Sequence, residues 1–124
     1  MPSRGEVGLN IVKRFAYSTK KGMVPSNPMK TNQDQYVVAP RLLGQKYLHL
    51  FGICDGHGQM GKQASAKTKE FLIENLSLEL RKLGVKEEGP AALLETRPVR
   101  KALKRSYEQT NRDVCAEPFD TNFR

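Results

Sequence analysis

Two short phrases in this chain gather groups able to handle charge and protons: Asn32-Gln33-Asp34 and Asp55-Gly56-His57-Gly58. Two carboxylates brought close repel unless a cation or a shared proton sits between them. Oxygen donors of this kind suit a hard divalent ion such as Mg²⁺ or Mn²⁺, which usually keeps several waters. Gly56 lets the backbone turn and present a carbonyl oxygen as a further ligand, and His57 reads as a proton donor beside a metal-bound water. Each residue also has a plain structural reading. Asp55-Gly56 alone is a common turn, Asp34 alone can cap a loop, and His49 reads as a packed histidine.

The elements that must position these groups are short strands followed by helices. Residues 9–18, rich in β-branched and aromatic types between Gly8 and Gly22, predict a strand. Gly22, Pro25, Asn27 and Pro28 mark a loop. Residues 35–40 predict a second strand, and residues 46–54 a third, apolar on both faces and therefore expected inside a covered sheet. If the chain reverses at Gly44-Gln45, antiparallel partners have a constant sum of residue numbers. That register sets Asp34 opposite Asp55, Tyr36 opposite Ile53 and Val38 opposite Phe51. From Gln59 the period changes: Leu72, Leu76, Leu80 and Leu83 predict a helix that Gly84 stops. Residues 85–95 read as a loop around Gly89-Pro90. Thr96 is expected to cap a second helix, with Val99, Leu103, Tyr107 and Val114 as its apolar stripe.

Composition narrows the classes. The chain has 124 residues, enough for one domain at most, with 21 Lys+Arg against 13 Asp+Glu and a net charge of +8. The basic residues come in pairs without interleaved aromatics, which disfavours nucleic acid as partner. Arg97, Arg100, Lys101, Lys104 and Arg105 form a basic stripe, read as a solvated helix face that leaves an acidic partner open. No apolar run reaches the roughly 20 residues of a membrane span. The first residues lack the apolar stretch of a secretory signal. Two cysteines 61 residues apart, Cys54 and Cys115, fit neither a disulfide scaffold nor a zinc finger. The expected location is cytoplasmic, with nucleus or cytoskeleton as alternatives, and not secreted.

At these phrases the chain resembles the type 2C, metal-dependent serine/threonine protein phosphatases. The matching segments are Lys30-Thr31-Asn32-Gln33-Asp34-Gln35 and Leu50-Phe51-Gly52-Ile53-Cys54-Asp55-Gly56-His57-Gly58-Gln59, and the resemblance runs over residues 8–120. It implies an α+β fold, the N-terminal part of an αββα sandwich of antiparallel strands plus two helices. It implies a centre of two Mg²⁺ or Mn²⁺ ions, with Asp55 bridging both, Gly56 as carbonyl ligand and Asp34 as ligand or water-mediated partner. His57 is then the catalytic acid that protonates the leaving seryl oxygen. Lys30 is a weak candidate for phosphate binding, because relatives often carry an arginine where this chain has Met29. Many relatives also have Glu where this chain has Gln33.

The family domain is roughly twice as long and contributes two later aspartates. The expectation is therefore a partial domain over 1–124: a flexible start at 1–7, strands with the metal-site motifs at 8–58, two helices at 59–117 and a tail at 118–124. Such a chain should hold at most a partial metal site and show no significant catalysis alone. Its partner would be a phosphoprotein substrate if the domain is completed. The alternative is a naturally short, non-catalytic subunit within a larger assembly, with a protein partner covering the open sheet.

Overall fold

A computed structural model describes residues 12–86 and 95–119. The expected start at 1–7, the first residues of the 9–18 strand, most of the 85–95 loop and the last residues of the tail lie outside that range. Two strands, β1 (Gln35–Ala39) and β2 (Leu50–Cys54), pair antiparallel, followed by two long helices, α1 (Gly61–Lys82) and α2 (Thr96–Ala116).

The strand register is the expected one: Tyr36 faces Ile53, Val38 faces Phe51 and Ala39 faces Leu50. The reversal that produces it is not a tight turn at Gly44-Gln45. It is a loop containing a short 3₁₀ turn, Leu42–Gly44, in which Leu43 takes a left-handed φ of 55°. Leu42 and Leu43 are buried, so the loop is drawn inward by its own leucines and pays backbone strain at Leu43 for the burial. They meet Leu76, Leu80 and Val85 to form the main core, flanked by Ala39, Leu48, Leu50, Ile73 and Leu83. Two hydrogen bonds close the loop: the Leu42 amide donates to the Leu48 carbonyl (2.9 Å), and Gln45 Nε2 donates to the Lys86 carbonyl. His49 Nδ1 lies 2.7 Å from the Pro40 carbonyl with its ring stacked near Phe51, a packed histidine as its sequence context suggested.

Residues 12–18 do not form the expected strand. The segment crosses the sheet face instead of joining its edge: Phe15 packs on Phe51 of β2 and Tyr17 on Tyr36 of β1, at ring separations of 5.1 and 4.6 Å. Nor is β2 covered on both faces. Val37 is only 2% exposed, while Gly52 opposite it is exposed and Ile53 is 78% exposed.

Helix α1 follows its leucine period, with Leu72, Leu76 and Leu80 buried and Gly84 at φ +92° ending it. Helix α2 begins one residue earlier in its cap than expected, with Glu95 at the N-cap and no side-chain cap bond. Its apolar stripe holds only in part: Val99 and Val114 are half-buried, but the middle of the stripe is misplaced. Leu103 and Tyr107 are 37% and 60% exposed, and the buried seam is Ala102, Ser106 and Thr110, at i, i+4 and i+8. Small side chains let the two helix backbones approach, and the seam is sealed by polar bonds. Buried Asn75 of α1 donates through Nδ2 to Thr110 Oγ1 (3.1 Å) and to Asp113 Oδ2 (2.9 Å).

That amide bond, with a second from Gln109 Nε2 (2.8 Å), holds the Asp113 carboxyl below its ordinary range; Arg112 adds a smaller pull. A lowered carboxyl stabilises the fold above its unfolded value of about 3.9 and loses that contribution as pH falls through the folded one. Asn75→Ala should therefore lower the thermal midpoint near neutrality and flatten its fall below about pH 4. Parallel melting curves of the two proteins across that range check it; identical pH slopes would reject the coupling.

Candidate metal centre at the end of the sheet

Asp34 and Asp55 each lie one residue beyond the last paired residues, Gln35 and Cys54, at the same end of the two strands. Side chains alternate across a strand. Asp34, two residues before Tyr36, lines a cavity of about 800 Å³ on the open face, roofed by residues 15–20, and Asp55 does not line it. The Asp34 amide is held by Asn32 Oδ1 (3.1 Å), and Asn32 Nδ2 in turn donates to Thr19 Oγ1 (2.8 Å). This Asx turn fixes where Asp34 leaves the loop and ties the crossing segment to it.

The second phrase is pinned from below. A Cβ at Gly56 would fall within 3.0 Å of the carbonyl oxygens of both Gly61 and Gln33. One at Gly61 would fall 2.8 Å from Gln33 Oε1 and 2.9 Å from the Gly56 carbonyl carbon. Two glycines are thus needed where the start of α1, the Asp55–Gly58 loop and the strand leading to Asp34 converge. Ser65 Oγ adds a bond to the Gln33 carbonyl (2.5 Å), and Gln33 Nε2 donates to the Gly58 carbonyl (2.6 Å). That last bond gives Gln33 a purpose: an ionised glutamate accepts only and could not make it. Gln33, Gly61 and Ser65 were not singled out from the sequence as site supports. The available signal was the run of small residues at 56, 58, 61 and 65, spaced for close backbone contact at a helix start.

His57 is directed outward, 82% exposed, with Nε2 3.7 Å from Asp55 Oδ1. An ion pair this exposed contributes little to stability, so its worth lies in position, next to the carboxylate that would hold a cation. Lys30 is not gathered in: its ammonium lies beside Gly22, and it makes no ion pair with Asp34 or Asp55. Burial pushes the thiol of Cys54, directly before Asp55, up, against a smaller opposing pull from Lys69.

Over 63 residues the chain is 40% identical to a probable protein phosphatase 2C 35 of Arabidopsis thaliana, a match spanning 51% of this chain and 18% of that protein. Over that half, the chain is phosphatase-2C-like. No family model and no solved structure matches it. The α+β arrangement of two antiparallel strands and two helices is compatible with part of such a phosphatase-2C-like domain.

A hard metal fits the donor set only in part. Asp34, Asp55 and the Gly56 carbonyl are all oxygen donors from one end of the sheet, as Mg²⁺ or Mn²⁺ prefers. Among the described residues, however, no group of three or more His, Cys, Asp or Glu side chains assembles into a metal cage. No helix among them is long and apolar enough to cross a membrane.

Proposed function

We propose that this chain carries one side of a type 2C serine/threonine phosphatase site and does not turn over substrate as a 124-residue chain. The observation that supports this most directly is the placement of Asp34 and Asp55 directly beyond the paired residues Gln35 and Cys54 at one end of the sheet, with the Asp55–Gly58 loop braced by Gln33 and Gly61. Asp34, Asp55 and the Gly56 carbonyl would hold Mg²⁺ or Mn²⁺, which supplies a water of lowered pKa and a Lewis acid for phosphate oxygens. The chain's own parts are distinct. Asp55 carries the negative charge that would hold the cation, with the His57 ring nitrogen 3.7 Å from it. His57, on the solvent side, is placed to deliver a proton from its ring nitrogen to a leaving seryl oxygen. Gln33 braces the loop through its bond to the Gly58 carbonyl. Further carboxylates, needed to balance two divalent charges, would come from outside the described residues.

Mn²⁺ binding followed by electron paramagnetic resonance tests this without relying on activity. Asp55→Asn should weaken binding by at least about tenfold, since even partners that only orient metal ligands are worth 10–100-fold. Equal affinity in wild type and variant would sink the assignment. Metal-dependent hydrolysis of a phosphoserine peptide by the wild-type chain, lost in Asp55→Asn, would keep the site and refute inactivity.

A second reading, a non-catalytic phosphatase-like subunit within a larger assembly, draws on the open sheet face, where Ile53 is 78% and Phe51 40% exposed. The two readings part on the same titration: the second requires no metal at all.

A further inference from the structure

The five cations on α2, Arg97, Arg100, Lys101, Lys104 and Arg105, are all exposed; the first four lie on the side of the helix turned away from the buried seam of Ala102, Ser106 and Thr110, and Arg105 borders α1. They are placed against the physics of their own helix. Arg97 sits in the first turn, where the macrodipole disfavours positive charge, and that turn holds no acidic residue. Five pairs among them sit at i,i+3 or i,i+4 spacing, where like charges repel. Compensation is thin: Lys104 reaches Glu108 at 4.0 Å and Arg105 reaches Glu79 at 3.9 Å, while Arg97, Arg100 and Lys101 have no ion pair among the described residues. The contrast with α1 is direct, since that helix keeps Arg81 and Lys82 in its last turn, where the dipole favours them. A face that only needed to be wet could be built from any polar residues, without this concentration of unfavourable charge.

We infer that the N-terminal half of α2 is a docking face for an acidic, amphipathic protein segment. Charge complementarity sets the sign of the partner. Its class follows from the neighbours of the cations: Leu103 (37% exposed) and Tyr107 (60% exposed) flank them on the same helix. Arginine and tyrosine beside an exposed aliphatic side chain is the composition of a protein interface core. Single-stranded nucleic acid would be read by aromatics stacked among the cations, and none is interleaved there. A membrane surface would need a continuous apolar face, and the small-residue face of α2 is spent on α1. Acidic side chains at helical spacing would pair with Arg97, Arg100 and Lys101 while apolar ones cover Leu103 and Tyr107. This surface stands apart from the aspartate site, so either assignment can fail without the other.

The test is binding of the whole chain to a fluorescent helical peptide of glutamate and leucine, compared with polyglutamate, duplex DNA and phosphatidylserine vesicles at physiological ionic strength. The peptide should bind more tightly than the other three, and more weakly as salt is raised. The triple variant Arg97→Glu, Arg100→Glu, Lys101→Glu should lose at least about tenfold in affinity. Leu103→Ser with Tyr107→Ser should weaken the peptide by about tenfold and leave polyglutamate unchanged. The charge-reversed protein should also melt no lower than wild type, because the repulsion has been relieved. Tightest binding to DNA or vesicles, or peptide binding indifferent to both variants, would overturn the inference.

Discussion

Gly56→Ala is expected to lower unfolding stability by about 2–4 kcal/mol, because the added methyl meets backbone rather than a movable side chain. The two atoms it strikes, the Gly61 and Gln33 carbonyl oxygens, belong to the first turn of α1 and to the lead-in of β1. Neither yields without shifting an element, so the midpoint should fall by about 10 °C or more. Gly58→Ala is the matched control. Gly58 has φ +78° and open space where its Cβ would go, so it should lose only backbone strain, about 1 kcal/mol. Urea denaturation of the two variants measures the difference; equal losses would mean that the loop does not rest on α1. Because Gly56 also follows Asp55, the Ala variant should weaken Mn²⁺ binding as well, and Gly58→Ala should do so much less.

The second large effect is expected at Ser106→Leu. Ser106 is fully buried against α1, and among the described residues its hydroxyl bonds only to the Leu103 carbonyl of its own helix (2.7 Å). Ser106→Ala should therefore cost less than about 1 kcal/mol. The leucine must push the helices apart, for about 3 kcal/mol, and with them goes the Asn75–Thr110 bond. Separation of these two variants in urea, with Leu103→Ser close to wild type, would establish which face of α2 is the packed one. A leucine accepted at 106 without loss would show that the helices do not touch there.

That face is also where reading by residue type went astray. Hydrophobic periodicity located α1, since Leu72, Leu76 and Leu80 do line its buried side. The same rule applied to α2 chose Leu103 and Tyr107, because apolar size was weighted over the smallness that close helix contact demands. The β1–β2 register came out right for an incomplete reason. Cross-strand apolar pairs define it, and they tolerate any turn that returns the chain in phase. The turn was hidden because its determinants, Leu42 and Leu43, act through burial against α1 and not through turn chemistry. Residues 12–18 have a strand's composition but pack by their rings across the sheet face. At the candidate site, Asp34, Asp55 and His57 were legible as chemical types. The bracing by Gln33, Gly61 and Ser65 was not, because it depends on where three backbones cross.

The glycine contact beneath the Asp55–Gly58 loop has a mechanical side. Helix α1 is a rod of 22 residues, about 33 Å long, seated at one end on Gly56 with no side chain between the two backbones. A soft layer of side chains would absorb small displacements; bare backbone against backbone transmits them. Helix α2 lies along this rod, bonded to it through Asn75. A load applied to the helix pair, at whatever point a partner grips it, is therefore delivered to the loop that presents Asp55 and His57, with α1 as the lever and Gly56 as its bearing.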